Sequence, residues 1–230
     1  MSKEDYWINH YKNIADKNYE SFKHNGYIFK KGTEHHRAFI RSLIENLRPK
    51  NILDIGCGSG DVTGPLIDKI QVYGVDPVYK SCELAKKKGL KTINSTFADF
   101  KLEQAFDLIL ACEVLTLIDD TKKFLNLCNL NLASEGSLII SVVNKNSLIR
   151  KVGNLIVSKG VEYGVDIFNL AKINHLLRSV DFSICSVFYF YQSPFGGFAT
   201  KATNLDVLSP VFANNLVVIA KKTSKTEQGI

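Results

Sequence analysis

Residues 52–60 have the sequence ILDIGCGSG, in which a short apolar run ends in three glycines at alternate positions. An apolar run of this length predicts a buried strand. Glycines allow the backbone to turn tightly and to approach a ligand without interference from β-carbons. We predict that a helix follows over residues 61–70, with N-terminal N–H groups that attract a carboxylate or a phosphate. This segment therefore predicts a strand followed by a ligand-binding turn and a helix.

An acidic residue stands where nucleoside-binding folds place one. Asp76 follows Gly56 by twenty residues and comes directly after a second apolar run, residues 72–75. A carboxylate at the end of a second strand can accept hydrogen bonds from both hydroxyl groups of a ribose. This order of elements predicts a ligand that contains a nucleoside: a strand, a turn, a helix, a second strand and then an acidic residue.

Strand-like and helix-like segments alternate between residues 50 and 145. Alternation of this kind predicts an α/β fold with a parallel sheet that carries helices on both faces. The predicted strands are 51–55, 72–75, 92–95, 106–111, 137–143, 184–191 and 216–220. The predicted helices include 61–70, 81–88, one that Asp119 or Asp120 caps, and one that Asp166 caps. Residues 192–215 are predicted to be an irregular link.

The chain divides into three parts by pattern. Apolar residues recur every three or four positions over residues 1–48, which predicts a helical lid whose second helix Thr33 caps and Pro49 ends. Residues 49–222 form the predicted α/β domain. Residues 223–230 form a polar tail.

Composition limits the classes of function. The 230 residues include 45% apolar residues and carry a net charge of +6, with the lysines dispersed along the chain. We therefore expect a folded domain with a solvated basic surface and no nucleic-acid partner. Five cysteines without a Cys-x-x-Cys pair argue against disulfides and against a metal site. No apolar run reaches the roughly eighteen residues of a membrane span, and no secretion signal is evident. We expect a cytoplasmic protein and leave peripheral membrane contact and oligomeric state open.

Two ligand classes fit the Gly-rich turn. A dinucleotide site has the spacing G-x-G-x-x-G, but here Asp61 occupies the position of the third glycine. A carboxylate beside a pyrophosphate would be repelled. Asp54, just before the turn, suits a ligand that carries an ammonium group. These features favour another nucleoside over NAD, and an NAD-dependent oxidoreductase stays as the alternative.

The motif D-x-G-x-G-x-G that begins at Asp54 resembles the first motif of class I S-adenosylmethionine-dependent methyltransferases, over roughly residues 50–145. The resemblance implies S-adenosylmethionine as cofactor and a three-layer Rossmann-like sandwich with a seven-stranded, mostly parallel sheet whose last strand is antiparallel. It implies that the glycines line the methionine part, Asp76 holds the ribose, Asp99 contacts the adenine amino group, and Cys112 lies near the ammonium. The cofactor-binding residues implied are Asp54, Gly56, Cys57, Gly58, Gly60, Asp76, Pro77, Asp99, Phe100 and Cys112.

A narrower resemblance concerns the methyl acceptor. Residues 141–146, SVVNKN, and the apolar, basic segment after them resemble the ubiquinone-biosynthesis O-methyltransferases. The resemblance implies methyl transfer to oxygen, or else to nitrogen, of a small molecule. Arg37 lies about where those enzymes place an arginine against the cofactor carboxylate. They often have His after Glu-Val-Leu, whereas this chain has Thr116, so the resemblance supplies no catalytic base.

Glu113 and His175 are the predicted catalytic residues. Glu113 follows the fourth strand, at the edge where open α/β sheets bind ligands. His175 lies on a predicted helix in the substrate-side region. We expect His36 to border the core, because it is in line with Ile40 on its helix. A cofactor-binding subunit without its own chemistry remains a third hypothesis.

Overall fold

A computed structural model gives the fold and describes residues 1–16, 30–97, 99–100, 102, 104–148, 168–193, 195–202 and 209–223. Its helices are α1 Lys3–Asp16, α2 Lys30–Leu47, α3 Tyr79–Lys87, α4 Thr121–Asn131, α5 Leu170–Arg178 and α6 Ser209–Phe212. Its strands are β1 Asn51–Ile55, β2 Gln71–Asp76, β3 Lys91–Asn94, β4 Phe106–Cys112, β5 Leu132–Val143, β6 Phe182–Ser193, β7 Gly196–Lys201 and β8 Asn215–Lys222.

The strands form one sheet in the order β3-β2-β1-β4-β5-β8-β6-β7. Strands β1 to β5 pair in parallel, and β8 is antiparallel to β5. Since β6 is antiparallel to β8, it has the same direction as β1 to β5. The predicted α/β fold with a mostly parallel sheet and an antiparallel last strand is therefore confirmed.

The sheet has eight strands in the described residues, one more than predicted. The additional strand, β7, forms an antiparallel hairpin with β6 inside the predicted irregular link. Gly196 and Gly197 indicated a loop, but they begin a strand whose next residue, Phe198, stacks on Tyr191 across the hairpin. Gly197 accommodates the ring of Phe190, since a β-carbon there would lie 2.6 Å from it.

Hydrophobic clusters cover both faces of the sheet and make the sandwich three-layered. On one face α2 packs Ile40 and Ile44 against the sheet, together with Ala85 of α3. On the other face α4 and α5 bury Leu125 and Leu177. The helix α2 therefore belongs to a layer of the sandwich, while the domain boundary at residue 48 stays a prediction. No helix in the described ranges has the length and apolarity of a membrane span.

Three helix predictions need correction. Residues 61–70 contain a 3₁₀ turn, Gly64–Leu66, instead of an α-helix; Pro65 lacks an N–H group, and prolines and glycines both weaken helix interiors. The helix α2 begins at Lys30, so Thr33 lies inside it and does not cap it. Asn169 caps α5 by accepting a hydrogen bond from the Lys172 N–H, and Asp166 lies outside the described residues.

The N-terminal helix α1 lies against the carboxyl edge of the sheet. It contacts α3 and the 3₁₀ turn Leu115–Leu117, which follows β4. The carboxylate of Asp119 accepts hydrogen bonds from the backbone N–H groups of Lys3 and Glu4, at 3.2 and 3.3 Å. A carboxylate at a helix N-terminus satisfies otherwise unpaired donors and is favoured by the helix dipole. This contact fixes the start of α1 beside the end of β4.

Asn144, directly after β5, predicts a large loss of stability on truncation. Its buried amide donates to the carbonyls of Pro210 and Ala213, and its oxygen accepts from the N–H of Asn146. Asn144→Ala leaves buried groups unpaired and should lower the free energy of unfolding by about 1–3 kcal/mol in urea titrations. The matched control is Asn146→Ala, whose side chain is exposed and should matter by less than about 0.5 kcal/mol. Equal effects of the two would contradict this account.

Candidate functional site

The Gly-rich turn adopts a backbone conformation that favours glycine at three positions. Gly56, Gly58 and Gly60 have φ angles of 73°, 51° and 74°, in the left-handed region that side chains disfavour. The N–H groups of Gly56 and Cys57 both donate to the carbonyl of Val75, at 2.7 and 3.2 Å. The turn therefore curls over the end of β1 and is joined to β2.

The carboxylate of Asp76 holds the turn in place. One oxygen accepts from the N–H of Gly58 and the other from the N–H of Val78, both at 2.9 Å. Burial raises the pKa of Asp76 to about 6, although both hydrogen bonds oppose this shift. A carboxylate oxygen has two lone pairs, so each oxygen can still accept a hydrogen bond from a ligand hydroxyl.

A cavity opens between this turn, α1, α2 and the loop after β4. It contains about 1080 Å³ of space, a volume that includes the open mouth. Nine of the residues predicted from the sequence line it. These are Arg37, Asp54, Gly56, Cys57, Gly58, Asp76, Pro77, Cys112 and Glu113.

Four predicted site residues lie elsewhere. Gly60 packs against α3, where a β-carbon would lie 3.3 Å from the Cα of Ala85. Asp99 is exposed and accepts a hydrogen bond from the hydroxyl of Thr96, which is a turn contact. Phe100 is buried in the hydrophobic core. His175 is on the exposed face of α5 and is not part of the cavity wall.

Asp54 is a buried carboxyl group at the floor of the cavity. It is 3% exposed, and its described hydrogen bond comes from the hydroxyl of Thr63, at 2.7 Å. Burial, with a contribution from the charge of Asp76, raises the pKa of Asp54 to about 7. A cationic ligand group beside it would stabilise the ionised form. The geometry therefore suits the ammonium group that the sequence analysis assigned to this position.

Asp61, which replaces the third glycine of a dinucleotide site, is enclosed by cations. Its carboxylate forms an ion pair of 3.0 Å with Arg37 and a second ion pair with Lys88, and its carbonyl accepts from Arg41. These cations compensate its charge, so repulsion of a pyrophosphate is weaker than the sequence suggested. Arg37 lines the cavity while paired in this way, and a ligand carboxylate would compete with Asp61 for it.

Glu113 stands at the end of β4 in a strained backbone conformation. Its φ is 61°, which is uncommon for a residue with a side chain and typical of functional positions. The N–H donates to the carbonyl of Ser141 at 2.7 Å, and Oε1 accepts from the amide of Asn215 at 2.8 Å. The carboxylate is therefore fixed at the cavity wall, where the sequence analysis predicted it.

Comparison with known proteins identifies the family. A model of the methyltransferase domain matches residues 15–187. The chain belongs to this methyltransferase-domain family. The ubiquinone biosynthesis O-methyltransferase of Bos taurus mitochondria is 28% identical over 77% of the chain and 51% of its own length. The corresponding enzyme of Nitrobacter winogradskyi is 35% identical over 47% of each protein. The chain thus spans about half the length of the curated relatives it matches.

Solved methyltransferase structures share the fold. A Thermotoga maritima protein described as a possible histamine N-methyltransferase superposes with a TM-score of 0.67 at 20% identity, over 83% of this chain and 92% of that one. The magnesium protoporphyrin IX methyltransferase of Synechocystis, with bound S-adenosylhomocysteine, gives 0.65 at 17% identity, over 94% of both chains. At such identities the likeness establishes the methyltransferase fold alone.

Thirteen residues that line the methyltransferase cavity were not among the predicted site residues, and several of them carry polar side-chain groups and come from the N-terminal helices. Trp7 and Tyr11 of α1, and Thr33 and His36 of α2, are among them. Trp7 and Tyr11 lie one helical turn apart on α1, a spacing equally typical of core residues. His36 follows the apolar stripe of α2, as core residues do. Helical periodicity shows which face of a helix is covered but not whether protein or ligand covers it.

Two aromatic residues of α1 offer polar groups at the cavity. The indole N–H of Trp7 is buried and has no hydrogen-bond partner among the described residues. Burial and the charges of Glu113 and Asp76 raise the pKa of the Tyr11 phenol. The phenol therefore stays protonated and can donate a hydrogen bond. Buried polar groups without partners are uncommon in folded proteins, so the Trp7 indole points to a polar ligand.

The raised pKa of Asp54 predicts that stability falls with increasing pH. The pKa rises from 3.8 to about 7 on folding, so the folded protein holds a proton that the unfolded chain releases at lower pH. The resulting stabilisation is present below the unfolded pKa and is lost as the pH rises through the folded pKa. The free energy of unfolding of the ligand-free protein should fall by about 1–2 kcal/mol between about pH 5 and about pH 7 through this group.

Urea unfolding of Asp54→Asn measures this contribution. The variant should lack that part of the pH dependence, while Asp76, with its own raised pKa, retains a smaller slope. Asp99→Asn, at an exposed carboxylate, is the matched control and should follow the wild type. A pH dependence unchanged in Asp54→Asn would show that Asp54 does not titrate in this range.

Proposed function

We propose that this chain binds S-adenosylmethionine and transfers its methyl group to an oxygen of a small molecule. The observation that carries the proposal is the Asp76 carboxylate. It fixes the Gly-rich turn through Gly58 and keeps lone pairs for ribose hydroxyls at the cavity wall. Membership of the methyltransferase-domain family supports the reaction class.

The polar groups of the cavity fit the cofactor. Asp54 is a buried carboxyl group with one described hydrogen bond, from a neutral hydroxyl, so it suits the cofactor ammonium. The indole N–H of Trp7 lacks an acceptor among the described residues. At Gly56 the Gly-rich turn packs closely against the loop after β4, because a β-carbon there would lie 2.8 Å from the side chain of Val114. Arg37 lines the cavity and is ion-paired with Asp61, and its guanidinium suits the cofactor carboxylate.

The protein would contribute mainly position and protection from water. S-adenosylmethionine supplies a methyl group on a positively charged sulfur, which is already a strong electrophile. Holding an acceptor in line with such a group can account for about 7–11 kcal/mol of the barrier. Tyr11 and Trp7 line the cavity from α1, and Glu113 lines it at the end of β4.

Oxygen as the methylated atom is supported by the names of the relatives. The curated relatives of Bos taurus and Nitrobacter winogradskyi are ubiquinone biosynthesis O-methyltransferases. Nitrogen remains the second candidate, because two structural neighbours carry N-methyltransferase descriptions. The neighbours establish only the fold, so they weigh less than the relatives. No observation favours an NAD-dependent oxidoreductase over these two.

The cellular setting is also part of the proposal. All five cysteines are free thiols, which supports a reducing compartment such as the cytoplasm. The dispersed charge of +6 supports a small-molecule acceptor over nucleic acid. Phe195 and Phe198 are exposed on the β6–β7 hairpin, and they leave room for contact with an apolar surface.

Calorimetric titration with S-adenosylhomocysteine tests cofactor binding. Wild-type protein should bind it with a micromolar dissociation constant and should not bind NAD. Asp76→Ala removes the acceptor for ribose hydroxyls and should weaken binding at least about tenfold, the equivalent of one hydrogen bond to a charged group. Asp99→Ala changes an exposed carboxylate outside the cavity and should bind as the wild type does.

Two results would contradict this assignment. Preference for NAD would support the oxidoreductase alternative. Equal losses in Asp76→Ala and Asp99→Ala would place the nucleoside elsewhere. Thermal melts of both variants, without ligand, separate a loss of binding from a loss of fold.

A further inference from the structure

The cavity contains a histidine that the resemblance to known methyltransferases does not assign. The chain has Thr116 where related enzymes often have His, and Thr116 is buried, with its hydroxyl donating to the carbonyl of Glu113. His36 instead enters the cavity from α2. A methyl acceptor with a hydroxyl group loses its proton during methylation, so the reaction needs a side chain that accepts this proton.

We propose that His36 is the proton acceptor of the reaction, receiving the hydroxyl proton of the methyl acceptor at Nδ1. The inference rests on the proposed function and deepens it, because it assigns a hydroxyl group as the acceptor class. Ser141 is its positioning residue.

The position of the ring is fixed from two sides. His36 is 3% exposed, and its ring packs against Phe190 with the centroids 4.9 Å apart. Its Nε2 lies 3.0 Å from the hydroxyl of Ser141 on β5. Cys112 is paired with Ser141 across the sheet. Nε2 is thus held by Ser141, and the ring lines the cavity. The proposal places Nδ1 on the cavity side.

The proposal requires one tautomer of His36. In it the Ser141 hydroxyl donates to the sulfur of Cys112 and accepts the hydrogen of Nε2 across the 3.0 Å contact, which leaves Nδ1 without a proton. Neutral imidazole has one donor and one acceptor nitrogen, so Nδ1 becomes the acceptor. The opposite tautomer would present a donor to the cavity and could not accept a proton there.

The charge state of His36 also suits a proton acceptor. Burial lowers the pKa of His36, and the charge of Arg37 lowers it further, while Glu113 raises it. The ring is therefore neutral near pH 7 and ready to accept a proton. The groups that contact or act on His36 are Arg37 of α2, Glu113 at the end of β4, Ser141 of β5 and Phe190 of β6. Tyr11 and Cys112 line the same cavity.

Glu113 compensates the charge that forms. When the imidazole gains a proton it becomes a cation in a buried site, which is costly without a nearby anion. The carboxylate of Glu113 is fixed by Asn215 at 2.8 Å and is close enough to raise the pKa of His36. Glu113 therefore acts on the reaction through His36 and does not need to touch the acceptor.

The step balances without a further reactant. The acceptor oxygen forms a bond to the methyl carbon as the carbon–sulfur bond breaks and leaves its electron pair on sulfur. The hydroxyl proton moves to Nδ1 of His36, and the imidazolium releases it to solvent when the products leave. General base catalysis of this kind contributes typically about 10²–10⁴-fold to a rate.

Nitrogen-15 NMR tests the tautomer without any acceptor. The wild-type complex with S-adenosylhomocysteine should show His36 as neutral imidazole at about pH 7, protonated on Nε2. His36→Gln identifies its resonances by their loss. A protonated Nδ1, or an imidazolium at this pH, would overturn the proposal.

Kinetics then test the role, with phenol, catechol and ethanol as probe acceptors. His36→Gln should reduce kcat by about 10²–10⁴-fold and remove the acidic limb of the pH–rate profile, with S-adenosylhomocysteine affinity within about threefold of the wild type. His36→Asn, the second variant, puts a carboxamide in place of the imidazole ring and should be similarly slow. Added imidazole should restore part of the rate. The matched control, Arg178→Gln at an exposed position of α5, should leave the rate unchanged.

The outcomes separate this proposal from the proposed function. Wild-type turnover by His36→Gln with an unchanged pH profile overturns the role of His36. A wild-type protein that binds S-adenosylhomocysteine but methylates none of the three probes overturns the assignment of a hydroxyl acceptor. Failure to bind S-adenosylhomocysteine at all contradicts the proposed function itself.

Discussion

The carboxylate of Asp76 joins the two parts of the chain on which the rest of the site depends. It accepts from Gly58 in the first turn and from Val78 at the start of α3, so the end of β2 fixes both. Without this link the left-handed backbone at Gly56 and Gly58 would have fewer constraints, and Asp54 below the turn would be less enclosed. The same oxygens keep lone pairs for a ligand, so one side chain both shapes the pocket and contacts what binds there.

The electrostatic character of the cavity is set by buried acids rather than by cations. Asp54 and Asp76 both have raised pKa values because burial penalises their charged forms. Arg37 lies near them but is paired with Asp61. A ligand with an ammonium group and a positive sulfur would supply the missing positive charge at Asp54, and its carboxylate would find Arg37 nearby. Charge complementarity of this kind adds specificity more reliably than it adds affinity.

The sequence predicted the parts of the fold that local patterns determine. The apolar run before Gly56 and the acidic residue Asp76 predicted β1, the turn and β2. An apolar strand followed by alternating glycines is typical of a ligand-binding turn at the end of a strand. Helix limits were less predictable where context intervened: Gly64 and Pro65 reduce the helix after the turn to a 3₁₀ segment. Strand β7 was not predicted because its two initial glycines are typical of a loop. The stacking of Phe198 on Tyr191 across the hairpin is a tertiary contact that the local sequence does not show.

Only the site residues that belong to local sequence motifs were predictable. The residues of the turn and of the β4 end came from motifs, whereas Tyr11 and His36 come from helices that reach the cavity through tertiary packing. Asp99 and Phe100 came from motif positions but do not line the cavity: the Asp99 carboxylate accepts a hydrogen bond from Thr96, and Phe100 packs in the core. Their contact with a ligand stays a prediction. Helical spacing alone could not separate a cavity wall from a core for His36.

A crystal structure of the protein with S-adenosylhomocysteine tests the central claim most directly. The account predicts both ribose hydroxyls within hydrogen-bond distance of Asp76, the amino group of the ligand beside Asp54, and the backbone of Gly58 unchanged. A ligand bound outside the cavity, or a ribose that contacts other residues while the Gly58–Asp76 hydrogen bond persists, would contradict it.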